Sequence, residues 1–237
     1  MERKKYVIIM AAGSGTRMGA GKPKQFLELE GKAILQKTIE VFLNACPGIS
    51  VITVLPQDFI GYWREYCLEN NFVCPQVLVA GGITRFHSVR NALDRVPDGA
   101  LVAVHDGVRP LVSEGLVRDM IAKAEEIPAL IPVTPCVETM KVLENKDGKL
   151  VAIPGAKADR SVLYGAQTPQ IFHSEVLKES YAMPYDTSFT DDASVVEKYG
   201  KSLSYVVGER LNIKITTQDD LLLARAILSV KSQDYSL

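Results

Sequence analysis

Short runs rich in Val and Ile recur at residues 6–10, 51–55, 76–79, 101–104 and 129–133, bounded by Gly, Pro or polar residues. Runs this short and this apolar read as buried strands. Between them, Ile34, Leu35, Thr38, Ile39, Phe42 and Leu43 recur at helical spacing, as do Leu116, Val117, Met120, Ile121 and Ala124 after an N-cap candidate at Ser113. Alternation of strand and helix predicts an α/β fold, a mainly parallel twisted sheet with helices on both faces. Ligands of such a sheet bind beyond the carboxyl ends of its strands.

The pattern changes near residue 135. Segments 139–144 and 149–153 flank Asn145-Lys146-Asp147-Gly148, a hairpin signal because Asp-Gly tolerates the positive φ of a tight turn. The segment is too polar for a core hairpin. It reads as a protruding arm over residues 137–160 that meets another subunit, with a solvated edge hairpin as the alternative. The chain then returns through 162–166, a helix at 174–181, a second from about 192 to 199, a strand at 203–207 and a closing helix at 217–229. Thr217 and Asp220 stand at capping-box spacing at the start of that last helix. Without a repeat, linker or low-complexity tract, residues 1–237 read as one domain carrying the arm.

A chain of 237 residues can bury a core without covalent staples. Its 27 Lys and Arg nearly balance its 28 Asp and Glu, giving a net charge of −1, which argues against a dedicated nucleic-acid binder. Cys46, Cys67, Cys74 and Cys136 lie at neither metal-ligand nor C-x-x-C spacing, so they read as reduced thiols. The first apolar run ends at Gly13-Ser14, too early for a signal-peptide core or a membrane span. The expected location is the cytoplasm, away from membranes.

The first strand runs into Ala11-Ala12-Gly13-Ser14-Gly15-Thr16-Arg17-Met18-Gly19. A glycine-rich turn after a buried strand lets backbone N–H groups approach phosphate closely. Met18 occupies the third glycine position of a dinucleotide fingerprint, and Pro23 follows Gly21-Lys22 where a P-loop needs Ser or Thr. Arg17 and Lys24 add positive charge that suits a triphosphate, although a plain glycine turn with solvated basic residues has the same look. At the end of the fourth strand, His105-Asp106-Gly107-Val108-Arg109-Pro110 places a carboxylate and a guanidinium three residues apart. They suit a metal or hydroxyl group and an anion, or a local ion pair. His105 reads as a packed residue. In Gly81-Gly82-Ile83-Thr84-Arg85-Phe86-His87-Ser88, the glycines expose backbone that can read a base edge, and Ser88 can add a hydroxyl at the next helix start.

In order, these segments and P-K-Q, T-x-K, T-P-Q, T-D and N-I-K resemble the 2-C-methyl-D-erythritol 4-phosphate cytidylyltransferase family from about residue 6 to 230. The resemblance implies a Rossmann-like nucleotidyltransferase fold. It also implies transfer of a cytidylyl group from CTP to 2-C-methyl-D-erythritol 4-phosphate, with Mg²⁺ as cofactor and pyrophosphate as the second product. By similarity, Ala11, Ala12, Gly13, Ser14 and Gly15 wrap the CTP phosphates, while Arg17 and Lys24 stabilise charge at the α-phosphorus. Gly82 and Ser88 help recognise cytosine. Asp106 and Arg109 lie near the metal, ribose and sugar phosphate. Thr139, Lys141, Arg160, Thr190 and Lys214 belong to the acceptor site, Arg160 and Lys214 also to catalysis. Family members are homodimers that exchange the arm, so Thr139, Arg160 and Thr190 are expected to serve the opposite subunit. Glu138 stands where the family more often has Asp.

A phosphate monoester has a second pKa of about 6. It is already ionised at neutral pH, so no His or Cys nucleophile and no general base are required. The obstacle is repulsion between two anions, which cations and backbone N–H groups relieve. Ribitol-5-phosphate cytidylyltransferase is the neighbouring alternative. Lys141 favours methylerythritol phosphate, since the sister pattern there is more often apolar. A nucleotide-binding regulator without turnover is a more distant alternative.

Overall fold

The computed structural model describes residues 2–13 and 22–234. Strand β1 (Lys4–Met10) leads to a small ribbon, β2 (Glu28–Leu29) and β3 (Lys32–Ala33), and then to α1 (Ile34–Ala45). Next come β4 (Ser50–Leu55), α2 (Ile60–Glu69), β5 (Gln76–Ala80) and α3 (Arg85–Leu93). After β6 (Ala100–Asp106), α4 (Glu114–Ala124) and β7 (Ala129–Pro135), the chain forms a hairpin, β8 (Leu143–Lys146) and β9 (Lys149–Ala152). It closes with β10 (Tyr164–Ala166), β11 (Gln170–His173), α5 (Ser174–Tyr181), α6 (Asp192–Lys198), β12 (Ser204–Val207) and α7 (Gln218–Asp234).

Eight strands form the main sheet. Strands β6, β1, β4 and β5 run parallel in that order. Strand β11 lies antiparallel between β6 and β7. Val133 of β7 pairs with both Ala166 and Val207, and Leu130 with both Ile171 and Ser204. Strands β10 and β11 therefore lie end to end along one side of β7, with β12 along the other.

The alternation of side chains along β1 sorts the core. Val7 and Ile9 join Leu35, Ile39 and Phe42 of α1, Trp63 of α2 and Met120 of α4 on one face. Ile8 and Met10 join Val89 of α3, Leu177 of α5 and Val196 of α6 on the other. Each fully buried aliphatic side chain contributes about 1.5–3 kcal/mol. Both faces being covered is why the strands read as continuous apolar runs. A third cluster seats Leu221 and Ala224 of α7 on Leu29, Ile34 and Val108.

Asp147 (φ 50°) and Gly148 (φ 81°) make the two-residue turn between β8 and β9, where both central residues need positive φ. Among the described residues, β8 and β9 pair with each other and not with the main sheet. One expectation needs correction. Ser88 does not start the helix; Thr84 caps α3, its hydroxyl accepting from the His87 N–H. Ser88 sits one turn in, where its Oγ accepts from the Gly82 N–H at 2.9 Å and donates to the Thr84 carbonyl at 2.9 Å. A β-region residue one turn earlier is the better cap because its side chain faces the free N–H groups.

Candidate active site

A cleft of about 490 Å³ opens where β1, β5 and β6 end. Ala11, Ala12 and Gly13 form one wall, Gly82 to Arg85 with Ser88 a second, and Asp106 with Val108 the floor; Lys24 and Lys214 reach in from two further segments. Gly82 has no room for a side chain, since a Cβ there would lie 2.4 Å from that of His87. Buried Gln25 ties the Lys24 turn to the strand end: its Nε2 donates to the carbonyls of Ala11 at 2.7 Å and Gly13 at 3.2 Å.

Asp106 is the electrostatic centre. Its Oδ1 accepts from Arg85 Nη1 at 3.2 Å; its Oδ2 accepts from Arg109 Nε at 3.1 Å and faces Lys214 Nζ at 3.0 Å. Burial pushes the carboxyl up, but Arg85, Lys214 and Arg109 together outweigh it and hold it well below the usual carboxylate range. Arg85 also bonds Asp192 Oδ2 through Nη2 at 2.5 Å, and Tyr181 Oη donates to Asp192 Oδ1 at 2.6 Å. Burial favours a neutral Arg85 side chain, yet the two carboxylates keep it charged.

His105, fully buried, is held at about 4 by desolvation and is neutral at pH 7. Its Nε2 lies 3.1 Å from the Arg109 carbonyl, which only an N–H can satisfy, so Nδ1 accepts from Thr168 Oγ1 at 3.0 Å. Thr168 Oγ1 in turn accepts from the Asp106 N–H at 3.1 Å. His105 thus packs and orients the strand end.

The loop carrying Lys214 is pinned from below. Gln167 Nε2 donates to the Glu209 carbonyl at 2.8 Å, Asn212 Nδ2 to the Thr168 carbonyl at 2.8 Å, and Arg109 Nη1 to the Asn212 carbonyl at 2.7 Å.

The family model described as 2-C-methyl-D-erythritol 4-phosphate cytidylyltransferase (IspD) matches residues 6–230. The chain belongs to that family. An enzyme of that name from Porphyromonas gingivalis is 45% identical over 231 residues, 97% of this chain and 100% of the relative. One from Bacteroides thetaiotaomicron is 42% identical over 225 residues, 95% and 100% of the two chains. The crystal structure titled 4-diphosphocytidyl-2C-methyl-D-erythritol synthase from Anaerococcus prevotii superposes with a TM-score of 0.77 at 28% identity, covering 96% of this chain and 99% of that one. That of the Francisella tularensis cytidylyltransferase gives 0.77 at 31% identity, covering 94% and 99%.

Of the residues expected at a cytidylyltransferase site, Ala11, Ala12, Gly13, Lys24, Gly82, Ser88, Asp106 and Lys214 line this cleft. Ser14, Gly15 and Arg17 lie outside the described residues. Arg109 sits behind Asp106 as a brace to Asn212. Thr139, Lys141 and Arg160 are exposed on or beside the arm, where Arg160 Nη1 donates to the Val137 carbonyl at 3.1 Å. Thr190 lines a separate groove with Val162, Leu163 and Tyr164. Among the described residues, the subunit therefore gathers Ala11, Ala12, Gly13, Gly82, Ser88 and Asp106 of the expected nucleotide set at the cleft but leaves Thr139, Lys141, Arg160 and Thr190 away from it. Arg85, Gln25, Thr168 and Asp192 are additions. Arg85, Gln25 and Thr168 stand inside motifs already singled out, though their residue types alone do not mark the roles the structure gives them.

Proposed function

We propose that this chain transfers a cytidylyl group from CTP to 2-C-methyl-D-erythritol 4-phosphate, forming 4-diphosphocytidyl-2-C-methyl-D-erythritol and pyrophosphate in isoprenoid precursor synthesis. The observation that carries the reading is the convergence of Lys214, Arg85 and Arg109 on one carboxylate at the strand ends, with Lys24 lining the same cleft. Such a cleft attracts anions, and His105, the histidine nearest its floor, is buried and committed to Thr168 and Arg109 rather than free to act as a general base.

The acceptor phosphate is its own nucleophile, so the protein's task is to orient it and neutralise charge. The backbone of Ala11 to Gly13, continuing into Ser14 and Gly15, would hold the triphosphate. Lys24 and Arg17 would meet charge developing at the α-phosphorus, each such contact contributing about 3–4 kcal/mol. Lys214 and Asp106 would hold the ribose side and the acceptor.

Among the residues lining the cleft, Asp106 supplies the carboxylate. Mg²⁺ takes one or two carboxylates, with phosphate oxygens and water completing its shell, so this donor set fits a cation that arrives with CTP. Bound there, Mg²⁺ would neutralise phosphate charge. Thr139, Lys141, Arg160 and Thr190 are assigned to the acceptor site, with Thr139, Arg160 and Thr190 serving that of the opposite subunit across a homodimer interface formed by the arm. The exposed apolar side chains of Leu143, Leu150 and Val151 on the hairpin support that assembly. No helix among the described residues is long and apolar enough to cross a membrane. The cytoplasm is the proposed compartment.

With CTP and Mg²⁺, the purified protein is expected to release pyrophosphate with 2-C-methyl-D-erythritol 4-phosphate and far less with ribitol 5-phosphate. The reverse preference would refute the acceptor.

A further inference from the structure

We propose that Arg85 is a positioning residue for Asp106, anchored from behind by Asp192 and Tyr181. The inference rests on the cytidylyltransferase reading above and adds to it a residue outside the expected set.

Three cations surround Asp106, but they hold it differently. Arg109 and Lys214 both approach Oδ2, at 3.1 and 3.0 Å. Arg85 takes Oδ1, at 3.2 Å. A carboxylate gripped at one oxygen can pivot about that contact; gripped at both, its plane is fixed. Arg85 is a long side chain and can do this only if it is itself immobile. The structure supplies the anchor. Nη2 bonds Asp192 Oδ2, Asp192 Oδ1 accepts from Tyr181 Oη, and neither Asp192 nor Tyr181 is more than 2% exposed. The Tyr181 ring stacks on Phe86, the neighbour of Arg85 on α3, with centroids 4.7 Å apart. The relay thus runs from α5 and the first turn of α6, through α3, to the floor of the cleft. A planar guanidinium offers a separate nitrogen to each carboxylate in a fixed fork, which the single nitrogen of an ammonium does not.

The competing account is a buried ion pair that merely ties α6 to α3. Kinetics separate the two. Arg85→Lys keeps the charge and loses the fork. Its kcat for pyrophosphate release is expected to fall between about tenfold and about a hundredfold, the scale of a small misplacement at a reacting centre, with KM for CTP changed less. Asp192→Asn and Tyr181→Phe should lower kcat in the same sense, the latter least. Because all three act through one carboxylate, Arg85→Lys with Asp192→Asn should be no worse than the more damaging single change. Folding is followed by circular dichroism and melting temperature. Full kcat in folded Arg85→Lys, or additive losses in the double variant, would overturn the proposal. If Arg85→Lys does not fold, Tyr181→Phe decides, since it removes one hydroxyl; a lowered melting temperature with unchanged kcat would leave only the structural tie. The wild-type protein runs alongside: no turnover there would defeat the functional reading and this inference with it, whereas active wild type and active variants defeat the inference alone.

Discussion

Gln25 Nε2 touches two carbonyls on the far side of the glycine-rich turn, so one amide sets where Lys24 sits relative to Ala11 and Gly13. Gln25→Glu replaces a donor by an acceptor facing two acceptors. It should cost about 1–3 kcal/mol in a urea titration, the range for a buried polar group left unsatisfied. Lys24→Ala is expected to lower kcat by about 10²–10³-fold while moving KM for CTP far less, because its contact strengthens as charge develops. Steady-state kinetics check this, and equal effects on both constants would demote Lys24 to a binding residue. At this scale the sequence is legible where charge meets a strand end, as with Asp106, or follows a glycine-rich turn, as with Lys24. It is silent on Arg85, because a basic residue opening a helix looks the same whether it is solvated or clamped between two carboxylates. Arg109 leaves two readings open in the sequence, an anion ligand or a local ion pair, and its guanidinium makes the ion pair with Asp106 and bonds the Asn212 carbonyl.

The start of α7 follows directly from its residues. Asp220 Oδ2 accepts from the Thr217 N–H at 2.8 Å, and Thr217 Oγ1 accepts from the Asp220 N–H at 3.3 Å, the reciprocal pair implied by their spacing. Burial pushes the Asp220 carboxyl up, but the hydrogen bonds from Thr216 and Thr217 together outweigh it and hold it at about 2. A carboxylate held below its unfolded value stabilises the fold above that value and loses its contribution as pH falls through the folded one. Asp220→Ala should therefore cost about 1 kcal/mol near neutral pH and progressively less from about pH 4 down to 2, measured by urea titration across that range. A difference independent of pH would place its effect elsewhere. The hairpin turn is equally legible through Asp147 and Gly148. Helix α2 is not, because Trp63 is its one buried residue and a single anchor leaves no periodicity to read. Strand β11 is hidden for another reason: four residues between a proline and a helix are too few to establish alternation.

For the molecule as a whole, the alternation of strand and helix in the sequence predicts the parallel half of the sheet and both helical layers. It does not predict that the chain returns after the arm to insert β11 between β6 and β7, since that choice is made by non-local pairing. Nor does one subunit unite all the expected acceptor residues, the separation that the proposed exchange of the arm would close. Deleting residues 141–153 should yield monomers with little turnover, checked by light scattering and pyrophosphate release; an active monomer would make the hairpin decorative. The late insertion of β11 has a consequence for biosynthesis. A ribosome delivers β6 and β7 before the strand that joins them, so until β11 emerges any pairing of β5, β4, β1 and β6 would have an unsatisfied border on the β6 side. Thr168, whose hydroxyl supports the Asp106 backbone, emerges just ahead of the joining strand. Nascent chains that stall between residues 135 and 165 would carry an open sheet border and an unfinished catalytic floor, the state in which strands stick to their neighbours.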